Sequence, residues 1–172
     1  LKPLHEHLGV DISDAAIRKA VEEQNEISRL ITEIGEYRKE ESPRITGYEF
    51  AIFCLATYCC PKYLILDKLR ETAEELKTRV PDPASKYRAR VVMVGSEIDD
   101  PSFIKLAEDT GLVVVADRYC FGSLPGRQEI VLTDDEDALT QVCRYYMQSG
   151  QCPRYLNTEK VNERHAYVDQ IA

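Results

Sequence analysis

The sequence has no tryptophan, two methionines and only three histidines. With so few imidazoles, no convincing Ser/His/Asp order can be drawn. No apolar run approaches the roughly 18 residues of a membrane span, and no signal peptide opens the chain. There is no basic surplus either: 22 Lys and Arg against 30 Asp and Glu leave a net charge of −8. No face is basic enough to neutralise phosphates, so a nucleic-acid partner is not expected. Six cysteines are present, at Cys54, Cys59, Cys60, Cys120, Cys143 and Cys152, but no C-x-x-C pair. That spacing fits no zinc pattern. A chain of 172 residues needs no disulfides to fold, so the thiols point to a reducing, cytoplasmic setting. Most of them read as small buried hydrophobes.

What is there is a core's worth of apolar residues, 44% of the chain, laid out with two textures. Residues 11–41 carry Ile17, Val21, Ile27, Leu30, Ile31, Ile34 and Tyr37 on one helical stripe, with Asp11 or Ser13 as cap. "TGYE" is a capping box, with Thr46 as cap and Glu49 at the third helical position. The helix it opens is apolar nearly all round, which predicts general burial. A third helix over about 62–79 turns Leu64, Leu66, Leu69, Ala73 and Leu76 inward. The Pro-rich stretch 80–89 is the expected boundary between a helical segment, 1–80, and an α/β domain, 81–172.

Beyond it, "RVVMVG" and "LVVVAD" read as strands around a short helix capped by Asp100, opened by Pro101 and closed by Gly111. Strand, helix and buried strand make a βαβ unit in a parallel sheet. "QEIVL" (128–132) is a weaker third strand. A helix over 134–150 places Cys143 among Leu139, Val142 and Tyr146, hence in the core, and a last helix starts near Thr158. The expected fold is α/β: a helical segment, then a short parallel sheet of flavodoxin-like or Rossmann-like half-domain type, flanked by helices. So thin a sheet suggests a piece of a longer protein.

Open parallel sheets bind ligands beyond the carboxyl ends of their strands. Two loops fall there, 95–101 and 117–127. The second holds Cys120, the Gly122-Ser123 turn, and Arg118 and Arg127, which could stabilise a thiolate or contact an anion. The alternative is a thiol tucked beneath its own loop. In "SGQCPRY", Cys152 sits in a loop beside Arg154, which suits a thiolate site or a packed loop equally well. "TYCCPKY" is a poor metal site, because adjacent side chains diverge and Pro61 simply ends a helix.

Three segments, in order, resemble one family: the core subunits of 2-hydroxyacyl-CoA dehydratases and benzoyl-CoA reductases. They are residues 11–50, with Asn25, Arg29 and "ITG"; 89–123, the strand–helix–strand ending in "DRYCFGS"; and 152–168, "CPRYLNTEKVNERHAYV". The resemblance implies an internal fragment of a longer, two-subunit iron–sulfur enzyme of anaerobes. It implies a [4Fe-4S] or related cluster with Cys120 and Cys152 among its ligands, and Arg118, Ser123 and Arg127 as cofactor-binding residues. It further implies a second homologous subunit, an ATP-dependent activator protein and an acyl-CoA substrate reduced to a ketyl radical anion. Leu124-Pro125 departs from the family's usual basic or aromatic residue after the Gly-Ser turn. The rival expectations are a non-catalytic flavodoxin-like module for a CoA or nucleotide moiety, and a subunit-interface piece.

Overall fold

A computed structural model of the chain describes residues 2–82, 86–123, 128–149, 152 and 157–171. A short exposed helix, α1, spans Lys2–Leu8. Helix α2 (Asp14–Glu36) begins where Ser13 Oγ accepts from the Ala16 N–H at 3.2 Å. Its stripe turns inward as expected, with Val21, Ile27, Ile31 and Ile34 buried, although the helix stops before position 41.

Helix α3 (Gly47–Cys59) carries the capping box in full: Glu49 N–H donates to Thr46 Oγ1 at 3.0 Å, and Thr46 N–H to Glu49 Oε2 at 2.9 Å. The helix is not buried all round, since Ile52 and Tyr58 are exposed. It is shared between two cores instead. Phe50 and Cys54 pack with Ile27, Ile31 and Ile34 of α2 and with Ile65, Leu69 and Leu76 of α4 (Lys62–Leu76). Ala51 packs with Ile104, Val114 and Tyr119. In α4 the expected inward Leu64 is instead 60% exposed and Ile65 is buried, so the stripe is rotated by one position at its start.

Strand β1 (Ala89–Val94), helix α5 (Pro101–Asp109) and strand β2 (Leu112–Arg118) form the βαβ unit, with the strands parallel and adjacent. Asp100 caps α5 by accepting from Ser102 N–H at 2.9 Å, and Gly111 takes the left-handed turn at φ 89°. The register is even from Ala89↔Leu112 to Val91↔Val114, then shifts, so that Val92 faces Ala116 and Val115 is left over. From Val113 onward β2 is buried; β1 is half exposed.

No third strand joins them among the described residues: positions 128–132 are irregular. The reason lies on α2. The Asn25 side chain takes both backbone groups of Ile130, donating to its carbonyl and accepting from its N–H, each at 2.8 Å. A side-chain amide thus replaces a strand partner, and the Arg29–Glu129 ion pair at 2.6 Å braces the same segment.

Helix α6 (Ala138–Gln148) is capped by Asp137, so it starts later than expected. Its apolar side does not enter the core. Cys143 is exposed and Tyr146 is 54% exposed, while Ala138 and Gln141 are buried. The cause is polar docking. Asp14 accepts from the Ala138 N–H at 2.5 Å, and Arg18 donates to the carbonyls of Thr133 and Glu136 at 3.0 and 3.1 Å. These bonds seat α6 on α2 by its first turn rather than by its stripe. Helix α7 (Thr158–Ile171) follows. Among the described residues no helix is long and apolar enough to cross a membrane.

Candidate functional site

The carboxyl end of β2 is held in place from three sides. The Glu108 carboxylate, on α5, accepts from the first N–H groups of α3, Gly47 at 2.8 Å and Tyr48 at 3.1 Å, and from Val114 N–H at 3.2 Å. A carboxylate at a helix N-terminus satisfies free donors and favours the dipole. Position 47 must be glycine for this approach: a Cβ there would lie 2.6 Å from Val114 Cβ. The "ITG" triplet is therefore one device. Ile45 fills the helical core, Thr46 caps, and Gly47 lets β2 close on α3.

Past Ala116 the strand carries charge into the interior. Asp117 Oδ2 meets Arg38 Nη1 at 2.8 Å, with side-chain exposures of 0% and 4%. The Arg38 guanidinium also lies over the Phe50 ring, 3.6 Å from its centroid. The other carboxylate oxygen, Oδ1, receives the Ser123 N–H at 2.7 Å. The Ser123 hydroxyl lies 2.9 Å from the Asp117 carbonyl and 3.0 Å from Oδ1, and can donate to either. Between them Gly122 N–H donates to the Tyr119 carbonyl at 3.1 Å. A Cβ on Gly122 would come within 2.0 Å of Asp117 Oδ1. Residues 119–123 are thus wrapped around one buried carboxylate. Burial, then the negative charge of Asp117, pushes the Tyr119 phenol well above its ordinary value.

Cys120 sits in the middle of that wrap, partly buried, with its N–H donating to the Ser96 carbonyl at 2.8 Å. Gly95 N–H donates to the Arg118 carbonyl at 3.1 Å. The two loops beyond the strand ends are therefore laced together. Arg118 is buried, and its guanidinium is held below its ordinary value, first by burial and then by the positive charge of Arg164. Tyr167, Cys120 and Cys152 act on it in the opposite sense. Both thiols thus fall within electrostatic reach of one guanidinium. Arg164 Nη1 donates to the Cys152 carbonyl at 3.3 Å, which ties that loop to α7.

Arg118 lies within electrostatic reach of Cys120 and Cys152, and Ser123 holds the Asp117 carboxylate; Arg127 lies outside the described residues, as do Arg154 and the Leu124-Pro125 departure. Cys59, Cys60 and Cys143 are exposed, Cys54 is core, and none of the six is in a disulfide. Two soft donors around a buried cation fit part of a thiolate ligand set for an iron–sulfur cluster. Among the described residues no three His, Cys, Asp or Glu side chains converge on a metal position. Sequence reasoning missed Arg38 and Glu108. The one available signal was an aspartate ending a run of buried strand residues, which requires a partner.

The family model for the D-component of 2-hydroxyglutaryl-CoA dehydratase matches residues 1–172, the whole of this sequence. The chain belongs to this family. A D-component is by that description one part of a dehydratase, so the chain is a dehydratase-type subunit sequence and implies partner subunits. No curated protein matches it. In this D-component sequence, a cavity of about 650 Å³ opens beside the buried ion pair, lined by Arg38, Phe50, Asp117, Ser123, Glu163 and Tyr167 among others. Ser123 Oγ and the Tyr167 hydroxyl stand 3.5 Å apart on its wall.

Proposed function

We propose that this chain is part of an iron–sulfur subunit acting on acyl-CoA thioesters, and that Cys120 and Cys152 are two of the cluster's ligands. The observation that carries the reading is that Cys120 is held in the loop beyond the carboxyl end of β2, its N–H on the Ser96 carbonyl, while Arg164 holds the Cys152 carbonyl, with Arg118 within electrostatic reach of both thiols. A thiolate in a dry site needs a compensating positive charge, and Arg118, with Arg164 behind it, is placed to supply one. Cys120 and Cys152 would hold the cluster, which would supply one-electron reducing chemistry toward an acyl-CoA thioester, with an ATP-dependent activator protein as the electron source. The chain's own contribution is to hold two sulfurs. Val113 to Tyr119 are buried up to the residue before Cys120, while Cys120 and Cys152 are themselves partly exposed. Ser123 and Arg127 are the proposed contacts to the bound group. Further ligands, and a second homologous subunit, complete the site.

The cavity beside Asp117 favours a second reading, a flavodoxin-like module that holds a CoA or nucleotide moiety without redox work. Iron content separates the two. The full-length protein, purified without oxygen, should carry iron with thiolate-to-iron absorbance, and Cys120→Ser and Cys152→Ser should each lower both. Full iron content in both variants would remove these cysteines as ligands. An iron-free parent protein would favour the binding module.

A further inference from the structure

We propose that Arg38 is a positioning residue for Cys120, acting through Asp117 and the Gly122-Ser123 turn; the significance of this rests on the ligand role proposed for Cys120. The chain of contacts is continuous. Arg38 Nη1 holds Asp117 Oδ2 at 2.8 Å. Asp117 Oδ1 holds Ser123 N–H at 2.7 Å. Gly122 leaves that oxygen room, since any Cβ would stand 2.0 Å from it. The turn closes back on Tyr119, and Cys120 is fixed between the turn and Ser96.

Why a cation is needed follows from burial. The Asp117 side chain is 0% exposed. A lone carboxylate there would be strongly destabilising, and removing one partner of a buried pair leaves the other uncompensated. With Arg38 gone, Asp117 does better turned toward water than holding the turn. The loop around Cys120 then loses its centre. Arg38 itself is fixed by the helical half of the chain: its Nε lies 3.4 Å from the Gly35 carbonyl and its guanidinium stacks on Phe50. The helical segment therefore sets the sulfur position at a distance of 82 residues in sequence, without touching the sulfur.

The test is alkylation of the iron-free full chain by iodoacetamide, read cysteine by cysteine from peptide masses, with exposed Cys59 as internal reference. Arg38→Met should speed labelling of Cys120 about tenfold relative to Cys59, as local opening of the loop becomes easier. Arg38→Met with Asp117→Asn should return Cys120 to within about twofold of the parent, because a neutral amide keeps the acceptor for Ser123 and no longer needs the cation. Parent-like labelling in Arg38→Met overturns the proposal. So does a double variant as reactive as the single one. If Arg38→Met alone does not fold, the double variant decides: parent-like labelling supports the proposal, and Cys120 labelled as fast as Cys59 overturns it. Because iron is absent, the labelling reads the loop whether or not Cys120 ligates a cluster; the iron content of Cys120→Ser reads the ligand role separately.

Discussion

Asn25 hydrogen-bonds Ile130 through both backbone groups, N–H and carbonyl, 105 positions away. Ile130 is buried, so neither group has bulk water as an alternative. Replacing Asn25 with leucine keeps the number of side-chain heavy atoms and leaves both groups unsatisfied. The expected loss is about 2–6 kcal/mol, at the usual cost of an orphaned buried group counted twice. Urea unfolding of the variant against the parent measures it. A loss below about 0.5 kcal/mol would mean the segment is held by the Arg29–Glu129 pair instead.

Gly47→Ala should destabilise the chain by about 1–3 kcal/mol, because the new methyl overlaps Val114 and the Glu108 carboxylate, 2.6 and 2.9 Å away. Val114→Gly in the same chain removes the Cβ that the methyl meets, so the double variant should lose less than the sum of the two single losses. Thermal melting of the four proteins gives the coupling.

Cys143→Ser should change stability by less than about 0.5 kcal/mol, the ordinary range for a surface site, since Cys143 is exposed. It should also leave iron content unchanged. The sequence pattern alone argued for a core position and a larger loss; denaturant midpoints distinguish the two.

Acid should loosen the α2–α6 contact. The Asp14 carboxyl is held below its ordinary value, first by the Ala138 N–H and then by Arg18. A depressed folded value means the carboxylate stabilises the fold above the unfolded value of 3.8 and loses that contribution as pH falls through the folded value. Asp137, depressed by Thr140, and Asp100, by Ser102, act in the same sense. Unfolding midpoints measured from pH 7 down to about pH 3 should fall most steeply below about pH 4. Asp14→Asn should be less stable at neutral pH and show a shallower acid limb. An unchanged limb would place the acid sensitivity elsewhere.

The βαβ unit was legible because each signal was local and they agreed. Asp100, Pro101 and Gly111 bound one helix, and two apolar runs flank it. The capping box at Thr46 was legible for the same reason. Local pattern failed where a distant polar group decided the outcome. Leu139, Cys143 and Tyr146 make an apolar stripe, but Asp14 and Arg18 set how α6 lies. "QEIVL" has strand composition, but Asn25 occupies the hydrogen bonds a neighbour strand would need. The loop position of Cys120 could be read from the end of an apolar run. That Arg118 lies within electrostatic reach of both Cys120 and Cys152 could not, because nothing in a sequence gives the distance between two loops. Arg38 carries no local mark at all; only the burial of Asp117 demands it.

The leftover residue Val115 changes what the end of the strand presents. Val114 meets Gly47 and Ala51 of α3. Strict alternation would then turn 116 and 118 to the same side and send 117 and 119 away from it. The structure has Asp117 on Arg38 and Tyr119 in the same cluster as Val114 and Ala51. One extra residue in the ladder has shifted the phase, as bulges do. The acid, the phenol and the loop after them therefore depend on a count as well as on composition. Regular pairing that kept Val115 in the ladder would exchange the sides, turning Arg118 toward the helices and Asp117 away from Arg38, whereas deleting Val115 would restore plain alternation and leave Asp117 and Tyr119 on the side of Val114. The strand works as a frame in which Val115 stands outside the count, and the chemistry at its end is in phase only while that residue stays out of the ladder.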